Sequence, residues 1–134
     1  MDTITKAQRS RVMALVRSKD TRPELAVRRL LTSAGYRYRL HRVDLPGCPD
    51  IVLSGRRKIV FVHGCFWHQH AGCPQCRTPK SRVHFWRQKL GANRRRDARN
   101  RRDLRRLGWR VGVVWECELR RPERVLNRLR EFLN

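Results

Sequence analysis

Within the nine residues Val62-His63-Gly64-Cys65-Phe66-Trp67-His68-Gln69-His70 the chain gathers three imidazoles, a thiol and two large aromatic rings. Imidazoles exchange protons near neutral pH, and Cys65 with His70 can ligate a soft or borderline metal. On an exposed loop of a basic protein, Phe66 and Trp67 can insert between base pairs, although adjacent aromatics commonly send one ring into a core. Upstream, Pro49-Asp50 opens a second apolar run. A carboxylate beside backbone carbonyls and water is a hard-oxygen site of the kind Mg²⁺ prefers. Beside a phosphodiester, that ion stabilises developing charge and activates water, and a neighbouring imidazole takes up the proton. Asp50, His63 and His68 are therefore the candidate catalytic set.

The candidate metal ligands form a different set. Cys65, His70, Cys73, Cys76 and Cys117 exceed the four donors of a closed tetrahedral Zn²⁺ site, and spacing alone does not choose the spare. Cys48 lies by itself in a Pro-Gly-Cys-Pro turn. Five cysteines among histidines, with no export signal, favour metal ligation over a disulfide framework.

These groups need a scaffold. Residues 58–62 read as a buried strand ended by Gly64. Residues 50–53 read as its hairpin partner through Ser54-Gly55-Arg56-Arg57, which brings Asp50 near the His63–His68 loop. Asp20-Thr21-Arg22-Pro23-Glu24 is a helix start, with the helix running through Leu25, Val27, Leu30 and Leu31 to a stop at Gly35. Tyr36 to Leu40 alternates like an edge strand. From Ser81 to Leu107 the pattern is helical with a break at Gly91, and residues 71–80 are loop. Trp109 to Trp115 reads as a third central strand, and Arg121 to Leu133 as a closing amphipathic helix. Trp86, Trp109 and Trp115 fall on core positions, whereas His41 and His84 stand isolated. Helices around a few strands make an α/β sandwich.

At 134 residues, the chain is one domain, residues 21–134, preceded by a basic arm or helix over residues 1–20. Arg9, Arg11, Arg17 and Lys19 of the arm can face phosphates, or belong to a solvated terminal helix. A net charge of +22, from 33 Lys plus Arg against 11 Asp plus Glu, points to a polyanionic partner, with nucleic acid first. No apolar run of about 20 residues is present, which argues against a membrane partner and for a cytoplasmic, nucleoid-associated protein. Nothing suggests a dimer interface, so a monomer is expected.

The combination Leu45-Pro-Gly-Cys-Pro-Asp50, His63-Gly-Cys-Phe-Trp-His68, Phe85-Trp86, Asn93, Arg96-Asp97 and Gly108-Trp109 through Trp115-Glu116-Cys117 resembles the very-short-patch repair (Vsr) endonucleases nearly end to end. The resemblance implies a restriction-endonuclease-like three-layer sandwich, with a small central mixed sheet and a structural zinc site. It also implies a Mg²⁺-dependent nickase that cuts duplex DNA 5′ to the thymine of a T:G mismatch left by deaminated 5-methylcytosine. Carried over residue by residue, Asp50 matches the Mg²⁺ carboxylate. Val62 stands where Thr is usual, its backbone carbonyl meeting the metal. His68 matches the general base, His63 the histidine holding hydrated metal and phosphate, and Glu24 a supporting acid. Cys65, His70, Cys73 and Cys117 match the zinc ligands. The His70-Ala-Gly-Cys73 spacing is one residue longer than usual, which leaves Cys76 as an alternative to Cys73. Phe66 and Trp67 match an intercalating wedge joined by Met13, and Arg9, Arg11 and Asn93 match DNA-backbone contacts. Mismatch-repair proteins or a cytosine-5 methyltransferase are the further partners implied. Two other readings remain: a less selective nickase of a restriction or defence system, and a non-catalytic zinc-stabilised DNA-binding module.

Overall fold

The computed structural model describes residues 20–74 and 79–134. The expectations for Arg9, Arg11, Met13 and Cys76 lie outside those residues.

Helix α1, Arg22–Ser33, begins where the sequence indicates: the Thr21 side chain caps it by accepting from the Glu24 amide at 3.3 Å, with proline in the first turn. It ends in a Schellman turn, with Gly35 at φ +85° and Tyr36 N–H donating to the Leu31 carbonyl. Glu24, Val27 and Leu31 fall at helical spacing and all three are buried, so the apolar stripe of α1 carries a carboxylate at its N-terminal end.

The sheet has the order β1-β2-β3-β4, built from Arg39–Leu40, Ile51–Leu53, Lys58–His63 and Arg110–Trp115. The first three strands are antiparallel neighbours, and β4 runs parallel to β3. The edge strand expected over Tyr36 to Leu40 shrinks to its last two residues. The hairpin between β2 and β3 closes through a 3₁₀ turn, Ser54–Arg56, and left-handed Arg57. A parallel partner needs a crossover, which helix α2, Val83–Arg106, supplies. It is continuous, so the break expected at Gly91 does not occur: a glycine weakens a helix interior by only about 1 kcal/mol relative to alanine, and Leu90 and Asn93 anchor both sides by burial. Strand β4, expected to be central, is an edge of the sheet formed by the described residues.

Alternation along the strands fills two cores. Ile51, Leu53, Val60, Val62 and Val114 face α1 and the C-terminal helix α3, Pro122–Leu133, meeting Val27, Leu31, Val125, Leu129 and Leu133. Val52, Ile59 and Phe61 face the other way, against Leu104 of α2 and Trp109. The protein is therefore an α/β sandwich of three layers with a small mixed sheet in the middle. Of the tryptophans read as core, Trp109 is buried, whereas Trp86 and Trp115 are only partly covered.

Gly112 pairs with Val60 on the face covered by α3, and a Cβ there would lie 3.1 to 3.4 Å from three ring atoms of Phe132. Gly112→Val is expected to lower stability by about 1–3 kcal/mol through overpacking. Urea unfolding should show an earlier midpoint with the slope unchanged; an unchanged midpoint would mean that Phe132 moves aside freely.

Candidate active site

The parallel pair β3 and β4 ends at His63 opposite Trp115, and the groups singled out in the sequence collect around that end. A cleft of about 1240 Å³ opens there. Its walls are the start of α1, the 41–50 loop, the end of β3, the 64–68 loop and the middle of α2. The 41–50 loop can lie against α2 because Gly47 has no side chain: a Cβ would sit 2.7 Å from the Asn100 amide nitrogen.

Asp50 immediately precedes β2, and its Oδ2 accepts from the Val62 amide at 2.8 Å. Burial pushes its carboxyl up to about 6; the Val62 N–H opposes the rise and the nearby charge of Glu24 adds to it. A carboxylate held at such a cost favours a cation beside it. Glu24 is 1% exposed and accepts from Arg28, while its two oxygens lie 3.0 and 2.9 Å from His41 Nε2. His41 adopts the left-handed region at φ +48°, and its amide donates to the Asp50 carbonyl at 3.2 Å. One residue thus links Glu24 to Asp50. Isolated in the sequence, His41 lies in the cleft once the chain is folded.

Across the cleft, the His63 and His68 rings stack at 3.8 Å, with 4° between their planes. His68 Nδ1 lies 2.6 Å from Asp97 Oδ2 on α2, a pairing of 29 residues' separation that the sequence reading did not make. His63 is 3% exposed, and burial, with the neighbouring His68 charge second, pushes its imidazole down to about 3. Its Nδ1 is buried without a hydrogen-bond partner among the described residues. That orphaned atom fits a site completed by a further polar group. Val62 turns its side chain into the core beneath α1, so its valine substituent contributes packing there.

Directly after β3, the 64–70 loop folds on itself: His68 N–H donates to the Gly64 carbonyl and His70 N–H to the Cys65 carbonyl. This doubling back brings His70 Nδ1 to 3.7 Å from Cys65 Sγ and 3.4 Å from Cys117 Sγ. With Cys73, the four donor atoms lie within 4.8 Å of one another. Zinc–sulfur and zinc–nitrogen bonds of about 2.3 and 2.0–2.1 Å give a tetrahedron with edges of roughly 3.5–3.8 Å, so the two measured separations suit that cage. Burial pushes the Cys65 thiol up to about 12 and raises Cys117 as well, so thiolates here call for a bound cation. Among the described residues Cys73 supplies the fourth donor atom of this group, and exposed Cys48 lies outside it.

Phe66 and Trp67 cross edge to face at 4.9 Å, and Trp86 packs on both, at 5.5 and 6.0 Å. Trp86 thus supports the aromatic pair, in place of its expected core position. Asn93, expected at the DNA backbone, is buried, and its amide nitrogen donates to the Trp67 carbonyl at 3.1 Å, which fixes the loop from beneath.

Asp50, the Glu24–His41 pair, the His68–Asp97 pair and a four-donor group that could hold a metal ion thus meet at one end of the sheet, an arrangement suited to hydrolysis. A family model described as DNA mismatch endonuclease Vsr matches residues 1–75. The chain is 54% identical over 133 residues to the type II nicking enzyme V.XorIIP of Xanthomonas oryzae pv. oryzae, covering 99% of this chain and 97% of that protein. It is 42% identical over 132 residues to the type II nicking enzyme V.NmeAIP of Neisseria meningitidis, covering 98% and 94%. It is 43% identical over 124 residues to DNA mismatch endonuclease Vsr of Escherichia coli, covering 92% and 79%. The chain belongs to the Vsr family and is a DNA endonuclease. No helix among the described residues is long and apolar enough to cross a membrane.

Proposed function

We propose that this protein nicks duplex DNA 5′ to the thymine of a T:G mismatch, with Mg²⁺ in the cleft and Zn²⁺ in the Cys65–His70–Cys73–Cys117 cage. The reading is carried by the His68–Asp97 pair lying in the same cleft as Asp50 and Glu24. Asp50, with the Val62 backbone and Glu24 behind it, would hold the Mg²⁺, which supplies charge neutralisation at the phosphate when bound.

The chain's own groups then divide the work. Asp97 fixes the proton on His68 Nδ1, which leaves Nε2 free to accept the proton of an attacking water. His63 stays neutral between Phe61 and Trp115, so of the two stacked imidazoles it is His68 that has a carboxylate to balance an acquired charge. In-line attack with departure of the 3′ oxygen gives a 5′-phosphate and a 3′-hydroxyl. Phe66 and Trp67, propped by Trp86 and Asn93, would enter the stack where unstacking is least costly, at a mismatch.

Two relatives are named as type II nicking enzymes with no mismatch in the name, which keeps one second reading open, a less selective nickase of a restriction or defence system. Single-turnover cleavage of matched T:G and T:A duplexes, with Mg²⁺ and with EDTA, separates the two. Mg²⁺-dependent nicking confined to the T:G strand is the expected result. Equal cutting of both duplexes would establish the broader nickase, and binding without cleavage in every context would refute catalysis.

A further inference from the structure

We propose that the outward face of α2 is a second duplex-DNA contact that grips the phosphates of a DNA segment the cleft does not hold. The proposal rests on the chain being a DNA endonuclease and is independent of T:G selectivity.

Residues 94–106 contain eight arginines and two aspartates. At about 100° per residue, Arg95, Arg99, Arg102 and Arg106 fall in one row along the helix. All four are exposed. The row spans about 16 Å at 1.5 Å per residue, and it lies about half a turn away from Asp97. Asp97, Asn93, Asn100 and Arg101 line the cleft, and Leu90 and Leu104 bury against the rest of the protein. The arginine row therefore faces away from both the sheet and the catalytic groups.

Acids do not balance it. Asp97 is held by His68, and among the described residues the one ion pair made by the row is Arg102 with Asp103 at 3.8 Å, between two exposed side chains. Arginines at i, i+4 and i, i+3 along the row repel one another and weaken the helix that carries them. A helix dipole favours Arg105 and Arg106 in the last turn, but not Arg95 or Arg99 farther back. A polyanion laid along the row removes the repulsion, and guanidinium forks suit phosphate.

The charge continues beyond the helix. Exposed Arg110 begins β4, and Arg57 sits 4.4 Å over the Trp109 ring with Nη2 donating to the Leu107 carbonyl. Both lie at the Lys58–Arg110 end of the parallel strand pair, opposite the His63–Trp115 end where catalysis sits. A duplex in the cleft is at one end of the molecule; this track runs along its back toward the other. The ligand it fits is a second length of DNA, bound through its backbone without regard to sequence.

The test compares full-length protein with Arg95, Arg99, Arg102 and Arg106 all changed to Gln, and with all four changed to Lys. Gln and Lys are good helix formers, and circular dichroism checks the fold. Binding in EDTA is measured on a duplex just long enough to fill the cleft and on the same site within long DNA. The Gln variant should bind long DNA at least about tenfold more weakly, with a salt slope shallower by about 3. On the short duplex it should match the parent within about twofold, and the Lys variant should follow the parent on both. Equal losses on short and long DNA would place the row on the cleft's own duplex and overturn the proposal. No loss on either would show a solvated face, or one meant for RNA or an acidic protein, and would overturn it equally.

Discussion

Asp50→Asn is expected to lose nicking by about a thousandfold or more while binding DNA as tightly as the parent. The amide keeps the shape of the carboxyl and its oxygen can still accept from the Val62 amide, so the hairpin end stays in place. What disappears is the negative charge that would hold Mg²⁺. Single-turnover nicking alongside gel-shift titration reads the two effects separately, and nicking at the parent's rate would remove Asp50 from the metal site.

A second reading of the same variant needs no metal. The folded Asp50 carboxyl is raised from 3.8 to about 6, so the fold prefers the protonated group. Its contribution to stability is therefore fully present at low pH and is lost as pH rises from about 4 through about 6. In metal-free buffer, Asp50→Asn should raise the melting temperature at pH 7 and change it little at pH 4. The parent's Mg²⁺ requirement should increase as pH falls below about 6, because a proton then competes for the same oxygen. A melting temperature lowered at pH 7 would contradict the burial argument.

If the four-donor group holds zinc as proposed, Cys117→Ala is expected to abolish zinc binding and lower the melting temperature by more than about 10 °C. Cys117 stands in the 3₁₀ turn Glu116–Arg120 after β4, whereas Cys65, His70 and Cys73 belong to the loop after β3, so an ion held by all four would clasp β4 to the loop that carries His68. His70 stacks on Trp115 at 4.2 Å, and Trp115 in turn meets His63 edge on at 5.2 Å. Loss of the clasp should therefore reach catalysis, and nicking should fall with zinc content. A chelator should reproduce the drop in the parent protein. Cys48→Ala, removing an exposed thiol outside the cage, should change neither metal nor melting temperature. Full zinc content and an unchanged melting temperature in Cys117→Ala would remove that residue from the ligand set.

Much of the site was legible because its chemistry is locally encoded. A β-branched run ending in glycine places His63 at a strand end, and the short Ser54–Arg57 connection delivers Asp50 beside it. Cys65 and His70 are five residues apart on one loop, within reach of each other whatever the rest of the chain does. The missed groups depend on tertiary docking. Asp97 reaches His68 only once α2 lies across the sheet, and periodicity says which face a residue occupies without naming its partner. His41 looked solitary because its two attachments, Glu24 and Asp50, come from α1 and from the lead into β2. Spacing alone puts Trp86 in the core, but the N-terminal part of α2 instead meets the aromatic loop. The helix through Gly91 survived its weak residue because tertiary burial on both sides outweighs propensity.

The pairing of β3 with β4 also sets a timetable for the nascent chain. The strands are sequence-distant neighbours, joined only after the whole of α2 has been made. A ribosome that has finished β3 has already incorporated the carboxylates of Glu24 and Asp50 and the imidazole of His63. Asp97, Trp115 and Cys117 are still to come, and closing so long a loop is entropically slow until strand contacts reward it. Unfinished or prematurely ended chains therefore carry the chemical groups without the assembled cleft. The capacity to break a DNA backbone arrives only once β4 and the turn after it have been made.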